Sequence, residues 1–403
     1  MCKSEKLQLF LDLGHIALVD RFLTPEELNQ SETLYPLNLK ICEECELVQL
    51  GYIVPAKDLF NENYAYESST TKDRRENHSK LAKSVCEKFS IPENSLVVDI
   101  GSNVGVLLEE FKKNGMMICG VDASANIVSI ANNRGIETML GFFDDNIVKK
   151  IISSKKRASV VTATNLFAHI QDYDSFILAL KNLITDDGIF VFQVPHLLQL
   201  IKNLEYDTIY HEHVSYFGLK PLIKFFDRFN MEIFDVLETE IDGGSIRCFV
   251  SKKDQRKISS NVKEMVEEEE REGIYSMSRL TKFAEDVKKQ KDSLLNLLMD
   301  LKKRNKRIVG ISAPAKGMTL LNYCKIDSYF LEYVTEKSSL KIGKYTPGMH
   351  LPVKPDEYLL QDMPDYALIL AWNFSDEIMK NLQEYSKSGG KFIIPIPSPT
   401  IVK

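Results

Sequence analysis

A basic excess is missing from this chain: 51 lysines and arginines stand against 57 acids, for a net charge of −6. That argues against a nucleic-acid partner, which needs a basic stripe. No apolar run approaches the ~20 residues of a membrane span, and Met1-Cys2-Lys3-Ser4 opens the chain without the hydrophobic core of a signal peptide. No membrane partner is expected. The seven cysteines are an odd number and scattered, apart from Cys42 and Cys45. They build no disulfide framework, and a reducing, cytoplasmic setting is expected. Neither the G-x-G-x-x-G spacing of a dinucleotide fold nor the G-x-x-x-x-G-K spacing of a P-loop occurs at the glycine loops considered below. The first absence counts against a nicotinamide oxidoreductase.

With 403 residues, 44% of them hydrophobic and 27% charged, two or three domains can each bury a core. Residues 1–70 read as a small unit in which Cys42-Glu43-Glu44-Cys45 has the spacing of a zinc knuckle. Two thiolates on one tight turn can share a tetrahedral ion. Cys2 is the only other nearby cysteine, and His15 is the nearest candidate for a fourth ligand. The stretch Asn63 to Thr70, polar and aromatic, is either linker or a loop laid over an active site.

Residues 71–255 alternate strand-like and helical segments. Leu96–Ile100, Cys119–Asp122, Ser159–Thr164 and Ile189–Val194 read as strands, the last entered through a turn at Asp186-Asp187-Gly188. Val106–Lys113 and Gly218–Phe229 read as helices, and Met231–Leu237 and Ser245–Val250 as a strand pair. This alternation predicts a doubly wound α/β sheet, which binds ligands at the carboxyl ends of its strands. Asp99 to Gly105, Asp122, Asn165 to His169 and Pro195 to His213 all lie at such ends.

Tyr210-His211-Glu212-His213 sets four side chains that can carry or orient a proton in a row. Histidine titrates nearest neutrality, so this stretch suits proton abstraction. Residues 256–306 read as a charged helical connector whose buried stripe is Leu280, Phe283, Val287, Leu294, Leu298 and Leu301. Residues 307–403 form a second α/β unit. In it Ser312 to Thr319, with Lys316 at a helix start, and the lysines Lys337, Lys341 and Lys344 suggest an anionic ligand.

Asp99-Ile100-Gly101-Ser102-Asn103-Val104-Gly105 resembles motif I of class I methyltransferases that use S-adenosylmethionine (SAM). The likeness implies that Asp99, Gly101, Ser102, Asn103 and Gly105 pass beneath the amino-acid part of the cofactor. It implies that Asp122 binds the ribose, that Phe143 lies by the adenine, and that Asn165 completes the cofactor site.

Taken whole, the chain resembles the sugar C-methyltransferase family, which methylates C-3 of nucleotide-linked 4-keto-6-deoxy sugars. The likeness is carried by Asp12-Leu13-Gly14, Cys42-x-x-Cys45, Tyr64 to Ser69, the SAM loop and Asn165 to His169. It continues through Tyr210-His211-Glu212-His213, Gly310 to Thr319, Thr346-Pro347-Gly348 and Ala371-Trp372-Asn373. The implied fold is a class I SAM-methyltransferase sheet flanked by a small N-terminal zinc-binding-like domain and a C-terminal Rossmann-like α/β domain.

Matching to that family assigns His213 as the base, with Glu212, Tyr210, Tyr64 and His169 beside it. Structural zinc would fall to Cys2, Cys42 and Cys45. Cys2 matches the second cysteine of the family's first pair, whose partner would precede residue 1. A nucleotide-diphosphate-linked keto-deoxysugar would be held by the C-terminal unit, with Lys316, Lys341, Tyr345, Trp372 and Asn373 as candidates. A monomer is expected. The rival readings are an O- or N-methyltransferase of another small molecule and a noncatalytic zinc-bearing interaction protein.

Overall fold

The computed structural model describes residues 1–59, 72–240 and 243–403. The sequence folds into three sheets. The first is antiparallel: β1 (Leu7–Ile16), β2 (Tyr35–Cys42) and β3 (Val48–Leu50), joined by β9 (Ser215–Tyr216), which arrives from the middle of the chain. Only two residues make that last strand, yet they stitch the expected base segment onto the N-terminal unit.

The second sheet has seven strands. β4 (Leu96–Ile100), β5 (Met117–Asp122), β6 (Thr138–Leu140), β7 (Ala158–Thr164) and β8 (Ile184–Pro195) are parallel. β10 (Met231–Thr239) and β11 (Ser245–Lys252) close it antiparallel, in the order β10-β11-β8-β7-β4-β5-β6. All five side chains of β4 are buried, because helices cover both faces of a parallel sheet. The turn expected at Asp186-Asp187-Gly188 is absent: these residues belong to β8, which starts at Ile184 directly after the helix Tyr173–Leu183. Its first pairing, Ala158 with Ile184, then slips register before Val160 pairs with Ile189, so the polar residues occupy an irregular strand start.

The connector is two helices, Ser260–Arg271 and Met277–Lys303. Gly273, at φ +65°, ends the first, and the Ser276 side chain accepts the Arg279 N–H to cap the second. The predicted stripe from Leu280 to Leu301 is buried, and Gln290 is buried with it. The third sheet, in the order β14-β13-β12-β15-β16-β17, contains β12 (Ile308–Ile311), β13 (Val334–Glu336), β14 (Val353–Pro355), β15 (Tyr366–Ile369), β16 (Lys391–Ile394) and β17 (Thr400–Val402). It is parallel except at β17. One apolar core, running through Leu39, Ile209, Leu294 and Leu321, unites the N-terminal sheet, the base segment, the long helix and this last unit.

Candidate functional site

The carboxyl ends of β4 to β8 open onto a cavity of about 350 Å³. Its lining runs in sheet order: Phe142 and Phe143 beyond β6, Asp122 on β5, Asp99 to Asn103 at β4, Thr164, Asn165 and His169 after β7, and Gln193 on β8. Of the residues expected to hold cofactor, Asp99, Gly101, Ser102, Asn103, Asp122, Phe143 and Asn165 all line it. Gly105 does not. It precedes the helix Val106–Lys113 at φ +80°, and a Cβ there would meet Ile136 at 2.5 Å. Its part is to let the chain turn into that helix.

Asp122 is fastened at both oxygens. Oδ2 accepts the Asn103 N–H at 3.0 Å, and Oδ1 accepts the Ser124 N–H at 2.9 Å. Burial raises its pKa, against the pull of these N–H groups. Each carboxylate oxygen retains a second lone pair for a diol. Asp99, 2% exposed, accepts a 2.6 Å hydrogen bond from Thr162. Burial, with a smaller push from Asp122, lifts its carboxyl to about 7. A carboxyl so shifted beside a cavity is suited to a cationic ligand.

The base segment adjoins this cavity. His213 Nδ1 lies 2.9 Å from the Thr208 carbonyl oxygen, and Nε2 lies 2.9 Å from the Tyr210 hydroxyl. A carbonyl only accepts, so Nδ1 carries the proton and Nε2 presents its lone pair to Tyr210. The His213 ring centroid is 5.0 Å from that of His169, a lining residue. Burial holds the His169 pKa well below the usual histidine range. Glu212 is buried beside them. His211 turns away: Nε2 lies 3.2 Å from the Pro36 carbonyl oxygen on β2, and its ring meets Tyr35 edge-on. Tyr64 lies outside the described residues.

The candidates in the C-terminal unit are spread out. Lys316 pairs with the buried Glu205 at 3.2 Å and lies over the Trp372 ring, whose Nε1–H donates to Asp207 at 2.6 Å. Lys341 is buried. It donates to the Ala313 carbonyl at 2.8 Å and lies 3.5 Å from Asp20, which leaves it committed inside the protein instead of reaching for a ligand. Tyr345 bridges through its backbone to Leu23 and Pro352, and Asn373 is half-buried in the turn Trp372–Phe374.

Cys2, Cys42 and Cys45 bring their sulfurs within 4.8 Å of one another, with Cys2 and Cys42 3.5 Å apart. A tetrahedral zinc with bonds of roughly 2.3 Å spaces its sulfurs about 3.8 Å apart, so this donor set fits three corners. His15 is not the fourth ligand: Cys42 pairs with Leu7 at one end of β1 and Pro36 with His15 at the other, roughly 25 Å along the strand.

Sequence reasoning missed Asn77, His78 and Gln193 in the lining, and Arg247 behind them. The signal was a long polar side chain set among buried apolar neighbours in each of two strands, Gln193 in β8 and Arg247 in β11.

Three families match the chain end to end: "Putative zinc binding domain" over residues 1–60, "Methyltransferase domain" over 73–236 and "C-methyltransferase C-terminal domain" over 240–397. C-methyltransferase NovU of Streptomyces niveus is 32% identical over 97% of this chain and 93% of its own length. A ubiquinone biosynthesis O-methyltransferase of Rhodopseudomonas palustris (strain TIE-1) is 27% identical over 28% of this chain and 47% of its own. Among solved structures, magnesium protoporphyrin IX methyltransferase of Synechocystis PCC 6803 with bound SAM covers 47% of this chain and 88% of its own, at 15% identity and a TM-score of 0.34. The middle unit matches a methyltransferase domain and has the seven-stranded sheet described above, and the likeness to NovU extends through all three units. The chain belongs to the C-methyltransferase family.

Proposed function

We propose that this protein is a SAM-dependent C-methyltransferase acting at C-3 of a nucleotide-linked 4-keto-6-deoxy sugar, with His213 as the general base. The observation that carries the reading is the state of the His213 ring. Thr208 fixes the tautomer, so the basic nitrogen is Nε2, and Tyr210 donates to that nitrogen. As substrate enters, the Tyr210 hydroxyl swings from Nε2 to the ketone oxygen. One movement frees the lone pair and delivers a donor to the oxygen on which charge will develop. His169, held neutral by burial, adds no positive charge that would discourage proton uptake by His213. Glu212 holds a sugar hydroxyl, and the C-terminal unit, through Lys316 and Trp372, holds the nucleotide.

SAM, when bound, supplies a methyl group activated by its sulfonium. Phe143 would hold its adenine and Asp122 its ribose. The protein's remaining task is to align the enolate carbon. Cys2, Cys42 and Cys45 would hold a structural zinc, since none of them lines the cavity.

Two measurements test this reading. Incubation with SAM and a panel of TDP-, GDP- and CDP-linked 4-keto-6-deoxy sugars should yield a product heavier by one methyl group, detected by mass spectrometry. With the demethylated cofactor in place of SAM, the wild type should wash deuterium into C-3. His213→Asn should lose that exchange, with turnover down roughly 10²–10⁴-fold, while His211→Asn keeps it. Exchange that survives in His213→Asn and vanishes in His211→Asn assigns the base to His211.

A further inference from the structure

Arg247 is a buried cation without a carboxylate partner among the described residues. It is 6% exposed and stands on β11 opposite Gln193 of β8, which in turn pairs with Thr164 of β7. Its Nη2 donates to Gln193 Oε1 at 2.8 Å and to Asn77 Oδ1 at 3.1 Å. Its Nε–H is buried with no acceptor among the described residues. A buried charge with no carboxylate beside it is costly, so a fold keeps one where something brings the counter-charge.

The two amides show where that counter-charge belongs. A guanidinium only donates, so Asn77 and Gln193 must turn their oxygens toward it. Their NH2 groups then point away from Arg247, and both residues line the cavity. A positive charge behind two amide donors on one cavity wall suits a carboxylate. It lies at one end of the lining, across β7, β4 and β5 from Phe142 and Phe143. A ligand whose adenine sits by those phenylalanines and whose ribose sits on Asp122 directs its amino-acid end toward Gln193. The ammonium of that end meets Asp99, and the carboxylate meets the two amides.

We propose that Arg247 is a positioning residue of the cofactor site, holding Asn77 and Gln193 as a paired amide receptor for the cofactor's carboxylate. This rests on the cofactor reading given above. The test is titration calorimetry of the full chain with two probes, S-adenosylhomocysteine and its decarboxylated analogue, which differ only by the carboxylate. Arg247→Met should weaken S-adenosylhomocysteine about 10- to 100-fold, as for hydrogen bonds to a charged group. It should change the analogue by less than about 3-fold, and Arg247→Lys should recover part of the loss.

A second variant keeps the buried polar contact. Gln193→Glu sets a carboxylate against Arg247, neutralises it and repels the ligand carboxylate. S-adenosylhomocysteine should again weaken at least about tenfold, while the analogue binds as well or better. Equal losses for both probes would overturn the assignment, as would undiminished S-adenosylhomocysteine binding in Arg247→Met. If Arg247→Met instead spares S-adenosylhomocysteine and raises the KM of the sugar nucleotide, the receptor serves a substrate anion and the assignment falls. Wild-type protein that binds neither probe overturns the cofactor reading, and this assignment with it.

Discussion

Asp99→Asn should make the central sheet more stable as pH rises. Asp99 is buried on β4, and its carboxyl is lifted from 3.8 to about 7, first by burial and then by Asp122. At 1.36 kcal/mol per pKa unit, ionising it in the fold costs on the order of 4 kcal/mol more than in the unfolded chain. The folded pKa is the raised one, so the folded protein binds this proton more tightly. The stability tied to Asp99 is therefore complete below about pH 4, drains away as pH rises, and is gone above about pH 7. Asparagine keeps an oxygen for the Thr162 hydroxyl and never ionises. Between pH 5 and pH 8 the wild type should lose about 2–3 kcal/mol relative to Asp99→Asn. Asp207 and Glu205, also raised by burial, and His169, lowered by it, titrate in both proteins and cancel in the difference. The readout is native-state hydrogen exchange of β4, β5 and β7 amides in ligand-free protein, which reports the opening of this sheet instead of the whole chain. If the two proteins show parallel pH dependence, Asp99 is ionised in the fold at pH 5 and the burial argument is wrong.

Removing the Asp122 carboxylate by Asp122→Ala should weaken SAM binding at least about tenfold, matching the loss of hydrogen bonds to a charged acceptor; unchanged affinity by titration would unseat the ribose assignment. Purified protein should contain about one zinc per chain, and Cys45→Ser should lose it and lower the thermal midpoint. Elemental analysis finding no zinc in folded, active protein would remove the metal.

The strands and helices around the cavity were readable because local pattern and tertiary role agree there. Leu96–Ile100 is an apolar run broken only by Asp99 and ending at a glycine turn, and it forms β4 with the same limits. The helix Val106–Lys113 likewise keeps its expected bounds. At Asp186-Asp187-Gly188 the local signal was misleading, since turn-type residues were recruited into an exposed, register-shifted start of β8. The expected cofactor residues Asp99 to Asn103 were legible because one strand end and its short loop carry them together. Gln193 and Arg247 were not, because their contact depends on β11 lying antiparallel to β8, with Arg247 opposite Gln193. The ligand set suggested around His15 failed for the related reason that nearness along the chain is not nearness along a strand. Lys341 was expected to reach for an anionic ligand, and the approach of Asp20 from the N-terminal unit, which accounts for its burial, depends on contacts far apart in the chain.

The segment from His196 to Leu219 shows why three units are kept in one chain. It leaves β8 in the methyltransferase sheet, and each neighbour holds it at a different point. His196 and the Leu219 N–H both bond to Glu269 of the connector, at 2.8 and 2.7 Å. Trp372 of the C-terminal unit holds Asp207. Pro36 of the N-terminal unit holds His211, and β3 pairs with Ser215 and Tyr216. Asp207 directly precedes Thr208, whose carbonyl orients His213. A loop with few contacts of its own would let that ring sample many rotamers, whereas a proton-transfer geometry tolerates little error. Anchoring from three sides supplies the rigidity that the stretch after the helix Leu197–Lys202, with a one-turn helix at Tyr206–Thr208 and a two-residue strand, cannot supply for itself. The His213 ring, the base in the proposed reaction, is therefore in place only when the N-terminal, connector and C-terminal units have all docked.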